Sequence, residues 1–292
     1  MSDVSGIQAQ KSMISRPVLW ILGLYAGSVV FLTIMLVYFQ TLFIATRIFI
    51  LLCVLFPFFV AGTLASFRDE HVSVTRYLLY AKQYYFSVLL PAILILFISV
   101  LVMMIVGSFL AIAGGITLFA GLLTGIGVLF VFGLWYSTIF YDVIAIRAKK
   151  KVLESIRASI TLVMERPLPV LAMVIVLVLI GIAIGIVCMV LFSIALDDAF
   201  SPYIGMDANE IEETFSAMSA SDWIQFLGMY GFLVTAIIGG FGTCLFTMFY
   251  YSYRYRWYQM LTKREEVLPD KTDPAPAPIQ GEYDDKGRWY KY

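Results

Sequence analysis

Arg47 and Asp142 are the ionisable residues set inside long apolar runs, and they are the first places to look for chemistry. A charge at membrane depth is costly, and it is kept where it pairs, lines a path or reaches the surface. Arg47 follows the start of its apolar run by six residues. From there it can snorkel outward, or it can pair with an acid of the loop that carries Asp197 and Asp198. Asp142 lies near the end of another run. Arg147 stands five residues on, which is a poor helical spacing for a pair. A neighbouring helix or water is an equal partner, and a structural acid near the membrane interface is the favoured reading. A proton relay needs a chain of titratable groups, and Asp142 has no second acid beside it.

Other candidates read as structure. Cys53, Cys188 and Cys244 all fall in apolar runs without metal or redox spacing, so they read as small buried hydrophobes. His71 sits by itself in a charged loop, where a solvated side chain is expected. Asp207, Glu210, Glu212 and Glu213 lack calcium-loop spacing and read as a solvated face. The chain shows no nucleophile–base set, phosphate loop, zinc spacing or cofactor fingerprint. The reading is non-catalytic, with no cofactor and no metal.

The elements that must position these residues follow from composition. Hydrophobic residues make up 61% of the chain and charged residues 14%, with a mean hydropathy of +0.89. Soluble domains are about 45–50% apolar and about 25% charged, so this chain needs a bilayer as solvent. The net charge of zero argues against a nucleic-acid partner. The composition implies an all-α bundle with six transmembrane helices, at about 17–39, 41–66, 86–109, 116–146, 167–196 and 224–251. The runs are continuously apolar rather than alternating, which disfavours strands. The first run is too long for a signal-peptide core and reads as an uncleaved helix.

Charge sets the orientation. No Lys or Arg occurs between Pro167 and Tyr253, and the acids there all lie between Asp197 and Asp222. Basic clusters flank that gap, Arg147 to Arg166 before it and Arg254 to Arg264 after it. Basic ends inside and an acidic loop outside place both termini in the cytoplasm and the chain in the cell membrane. Trp223 marks the outer start of the last helix. Tyr250, Tyr251, Tyr253, Tyr255, Trp257 and Tyr258 form a belt where it leaves on the inner side.

Two inner segments have a 3.6-residue apolar period. Val74, Tyr77, Leu78, Ala81, Tyr84 and Tyr85 form one; Val152, Leu153, Ile156, Ile160, Val163 and Met164 form the other. Each reads as a short amphipathic helix in the inner headgroup layer, ahead of its membrane hairpin; the alternative is that it packs on the bundle rather than on lipid. The stretch with Ile211, Phe215 and Met218 reads as an outer counterpart. An amphipathic helix followed by a membrane hairpin then forms a three-fold repeat, with Arg16-Pro17 matching Arg166-Pro167. Gly121 with Gly125 and Gly181 with Gly185 have the small-residue spacing of close helix packing. Gly239, Gly240 and Gly242 are expected to loosen the sixth helix.

The segment FYDVIAIRAKKKVLESIRASITLVMERPLPVL resembles a loose group of six-helix prokaryotic membrane proteins. The group includes archaeal families of unknown function and the membrane domain attached to some glycerophosphoryl diester phosphodiesterases. The residues that carry the likeness are Tyr141-Asp142, Ser155 or Ser159, and Arg166-Pro167. The resemblance implies architecture over most of 1–262; the phosphodiesterase catalytic domain is absent.

Beyond the membrane domain at 1–262, residues 263–280 form a Pro/Ala linker expected to be mobile. Residues 281–292 form an aromatic tail in which Asp284-Asp285-Lys286-Gly287 suits a tight turn. Tyr283, Arg288, Trp289, Tyr290 and Tyr292 are the partner-docking candidates. The alternatives are the bilayer interface or an idle tail. The favoured role is a non-catalytic scaffold or accessory subunit that engages partners through this tail and contacts the lipid bilayer. The alternative is a small transporter or permease component for an apolar or lipid-like substrate.

Overall fold

The computed structural model describes residues 17–39, 42–67, 72–112, 117–201, 206–207, 210, 213, 215–267, 281–283 and 289–291. The chain divides into two compact units, Met1–Tyr255 and Arg256–Tyr292. The first is helical. Among the described residues, six helices are long and apolar enough to cross a membrane, which is the build of a multi-pass integral membrane protein. Large apolar side chains stay exposed along most of these helices, as expected where lipid replaces water.

Helices α1 (Pro17–Tyr38) and α2 (Leu42–Ser66) match their expected spans. Pro57 lies inside α2, where it removes a backbone donor. Tyrosines from both neighbours bond to carbonyls around it. The hydroxyl of Tyr25 on α1 donates to the Leu52 carbonyl at 2.6 Å, and that of Tyr85 on α3 donates to the Val54 carbonyl at 3.0 Å. The Tyr77 hydroxyl donates to the Phe59 carbonyl at 3.1 Å.

Helix α3 (Val74–Ile112) corrects the first inner segment, because it is a single helix of 39 residues. At 1.5 Å per residue it is about 58 Å long, well beyond the roughly 30 Å hydrocarbon core. No glycine or proline separates Val74–Tyr85 from the membrane run, so the helix continues. Tyr77 and Ala81 are buried in the protein while Leu78 is exposed. That face packs on the bundle, and the middle copy of the repeat has lost its separate amphipathic helix.

The fourth span is also corrected. It breaks into α4 (Thr117–Ser137) and α5 (Tyr141–Arg147). A turn with Lys149 in the left-handed region (φ 52°) leads to α6 (Val152–Glu165). This helix is separate, as expected, but its inward face carries serines. Ser155, Ser159, Leu162 and Val163 are buried, whereas Leu153 and Met164 are exposed.

Arg166-Pro167 opens α7 (Pro167–Ala195), with proline in the first turn. A short α8 (Asp197–Phe200) follows. Helix α9 (Ala220–Val267) starts earlier and ends later than expected. It is interrupted at Gly228, whose φ of 59° and ψ of −173° suit glycine.

The close helix crossing uses other glycines than the spacing implied. A Cβ on Gly27 would meet the Gly240 carbonyl oxygen; one on Gly240 would lie 2.9 Å from the Gly27 carbonyl oxygen. Gly240 therefore joins α1 to α9 rather than loosening the last helix. A Cβ at Gly121, Gly125 or Gly185 would meet open space, and one at Gly181 would touch only Phe246.

In the second unit, β1 (Gly281–Tyr283) and β2 (Trp289–Lys291) pair antiparallel, with Tyr283 opposite Trp289. The turn residues 284–288 lie outside the described residues, as do His71, Arg16 and the Gly114-Gly115 turn.

Candidate functional site

The site grows from the break between α4 and α5. Helix α4 closes on the Leu134 carbonyl, which accepts from the Thr138 backbone N–H (3.0 Å) and hydroxyl (2.7 Å). Backbone groups beyond it have lost their helical partners, and such groups must be satisfied at membrane depth. Ser159 of α6 supplies both functions. Its hydroxyl donates to the Ser137 carbonyl at 3.0 Å and accepts from the Phe140 N–H at 3.1 Å. The Ile139 carbonyl accepts from Arg254 Nη1 at 3.1 Å.

Arg254 comes from α9, and it is the partner of Asp142. Its Nη2 donates to Asp142 Oδ2 in a salt bridge with both side chains buried. Asp142 Oδ1 accepts from the Val143 N–H at 2.8 Å. Arg254 Nη1 also donates to the Tyr250 hydroxyl at 3.0 Å. The guanidinium carbon lies 4.8 Å from the ring centroids of both Tyr250 and Tyr251, within cation–π range. Arg254 is 3% exposed and Asp142 2%. Most of the remaining donors and acceptors of this buried pair are matched, while Arg254 Nε is buried without a hydrogen bond.

Beside the pair lies a cavity of about 420 Å³. Its walls come from α2, α3, α4, α5, α7 and α9. Phe56, Val88, Ile95 and Phe132 make them largely apolar, while Tyr141, Asp142, Tyr251 and Arg254 supply polar groups. The volume lies within the roughly 300–1,000 Å³ of small-molecule sites. Trp135, on the same wall, donates its indole N–H to the Ser99 hydroxyl at 3.1 Å. Tyr136 donates to the Pro167 carbonyl at 2.8 Å and ties α4 to the start of α7. The arrangement can receive an apolar body and hydrogen-bond a polar end.

The residues singled out from the sequence separate here. Asp142 is central and buried in the protein, and its partner is Arg254 on a neighbouring helix rather than Arg147. Arg147 stands 6.0 Å from the Tyr255 ring. Arg47 is elsewhere: exposed on α2, its guanidinium lies 3.8 Å from the ring centroid of Phe43 on its own helix. Cys53 is exposed and lines the cavity, a correction to its reading as a buried hydrophobe; Cys244 is buried. Of the tail candidates, Tyr283, Trp289 and Tyr290 lie on the paired strands, while Arg288 and Tyr292 lie outside the described residues.

Arg254 and Tyr251 are the residues whose place in the site the sequence did not mark, and Ser159 was singled out without its role as the bridge. Tyr251, Arg254 and Tyr255 share a helical face at i, i+3 and i+4, and all three are buried. The density of inner tyrosines marks a belt, and the face shared by Tyr251, Arg254 and Tyr255 marks which side of it turns inward. The residues that carried the likeness to six-helix membrane proteins do hold this junction together: Asp142 pairs, Ser159 bridges the break and Pro167 opens α7.

The comparisons with known proteins bear on the whole membrane unit. None of the curated proteins or solved structures matches the chain. A family model does, over residues 7–253, and it carries no link to glycerophosphoryl diester phosphodiesterases. That match takes in five of the six apolar helices whole, the sixth as far as Tyr253, and every residue of the cavity except Arg254. The chain belongs to that family, the domain of unknown function DUF7847.

Proposed function

We propose that this protein is a non-catalytic membrane binding protein, a carrier or permease component, that holds an apolar or lipid-like molecule within its helical bundle. The observation that carries the reading is the cavity of about 420 Å³, apolar on most of its wall and polar beside Asp142–Arg254. Such a site needs few polar residues, in keeping with a chain of so few intramembrane charges. By the positive-inside rule the basic end faces the cytoplasm, with both termini there, in the cell membrane.

The test is extraction of bound molecules from the purified protein, read by mass spectrometry. A stoichiometric apolar molecule is expected, and Ala92→Trp, which fills the cavity wall, should release it. A protein that carries nothing at stoichiometry, or a molecule unaffected by Ala92→Trp, counts against the reading.

A second reading has its own support. The tail strands pair with Tyr283 opposite Trp289, which favours a folded tail over an idle one and keeps the scaffold or accessory role in play. Deleting residues 268–292 should then remove a co-purifying protein; an unchanged set of partners counts against it.

A further inference from the structure

We infer that the cavity takes a single-chain amphiphile with an uncharged, hydrogen-bonding head, recognised by the hydroxyls of Tyr141 and Tyr251 rather than by the charge of Arg254. The inference rests on the binding reading above and adds the chemistry of the ligand. An arginine in an apolar cavity invites an anion, but here its charge is already neutralised. Arg254 donates to Asp142, the Ile139 carbonyl and the Tyr250 hydroxyl, and its Nε is closed off from small molecules without a hydrogen bond. An added carboxylate or phosphate would leave a net negative charge at membrane depth, because Arg254 is the one cation among the described residues that line the cavity. An ammonium head would leave the opposite imbalance.

Two polar groups on the cavity wall remain unspoken for. Tyr141 and Tyr251 both line it, and neither hydroxyl makes a hydrogen bond among the described residues. Tyr251 is 8% exposed, so bulk water does not readily serve it. Unlike Arg254 Nε, neither oxygen is closed off from a small molecule. A phenol both donates and accepts, so the pair suits a hydroxyl or carbonyl head. The chain of the ligand would rest against Phe56, Val88, Ile95 and Phe132. The volume accommodates one chain, not the two of a phospholipid.

Cys53 lines the same cavity and is a free thiol, so it reports occupancy. Its alkylation in the intact detergent-solubilised protein is followed by peptide mass spectrometry, with 1-hexadecanol, hexadecane, palmitate and hexadecyltrimethylammonium as competitors. Hexadecanol should protect best. Tyr251→Phe should weaken its protection by roughly three- to ten-fold, the worth of one neutral hydrogen bond, and leave that of hexadecane unchanged. Tyr141→Phe should act likewise. Stronger protection by palmitate or the ammonium overturns the inference, as does equal protection by hexadecane and hexadecanol; both leave the cavity reading standing. Protection by none of the four removes the cavity reading as well.

Discussion

The two ends of the bundle treat charge in opposite ways. At the basic end, Asp142 and Arg254 are buried and serve as internal joints between α5 and α9. At the acidic end, Asp207, Glu210, Glu213 and Asp222 are exposed, and aromatic rings make the contacts. Phe215 stacks on Trp223 with centroids 5.3 Å apart, and Phe226 meets Phe200 at 5.5 Å and Trp223 at 5.9 Å. The difference traces to the backbone. The break after Ser137 leaves carbonyls that must be satisfied inside the protein, so a cation is drawn in and an acid with it. At the acidic end, Ser201 after α8 and Asp222 at the start of α9 are exposed, and polar groups there need no buried partner.

The largest expected effect sharpens this contrast. Asp142→Ala or Arg254→Ala strands one charge in the bundle, and removing one partner of a buried pair costs about 3–5 kcal/mol. Asp197→Ala at the opposite end should change stability by no more than about 0.5 kcal/mol. Thermal unfolding in detergent, compared across the three variants, checks the difference. Equal losses at the two ends would erase it.

Between the ends, the crossing of Gly27 and Gly240 needs no charge. Gly27→Val forces α1 away from α9, and overpacking of this kind costs about 1–3 kcal/mol. The same unfolding assay should place it below the Asp142 and Arg254 variants. Ser159→Ala leaves the Ser137 carbonyl and the Phe140 N–H without their bridge, at about 1–3 kcal/mol, and should loosen the cavity wall without emptying the ion pair. Hydrogen exchange should therefore rise at Phe140 and Tyr141 before it rises at Tyr251.

Six apolar runs were legible because length and hydropathy are local properties, and the α1, α2 and α7 spans agree with them to within a residue. The Arg166-Pro167 start of α7 was legible for the same reason. The joint was not, because its members lie more than a hundred positions apart: Asp142 on one helix and Arg254 on another. A basic residue at the edge of an apolar run looks the same to composition whether it faces water or turns inward. Only the shared face of Tyr251, Arg254 and Tyr255 distinguishes the two. The glycine spacing misled for a related reason. The spacing marks a face that permits close approach, and whether a helix lies opposite that face is set by the fold: one does at Gly27, and among the described residues none comes within 4 Å of a Cβ at Gly121.

The smallest effect belongs to the acidic end. Ser219 and Asp222 cap the start of α9 reciprocally. The Asp222 carboxylate accepts from the Ser219 N–H at 2.8 Å and hydroxyl at 2.7 Å, and the Ser219 hydroxyl accepts from the Asp222 N–H at 3.3 Å. Those bonds, the hydroxyl's first, hold the carboxyl below its ordinary value of 3.8. A carboxyl whose folded value is depressed stabilises the fold above its unfolded value, and that contribution fades as pH falls through the folded value. The start of α9 should therefore loosen as the pH drops below about 4, seen as faster hydrogen exchange at Trp223 in the protein than at Tyr255. Ser219→Ala should abolish most of that pH dependence and leave Tyr255 untouched. If Ser219→Ala altered exchange at both ends alike, the two ends would be one cooperative unit, and the contrast between a buried joint and a solvated cap would lose its energetic meaning.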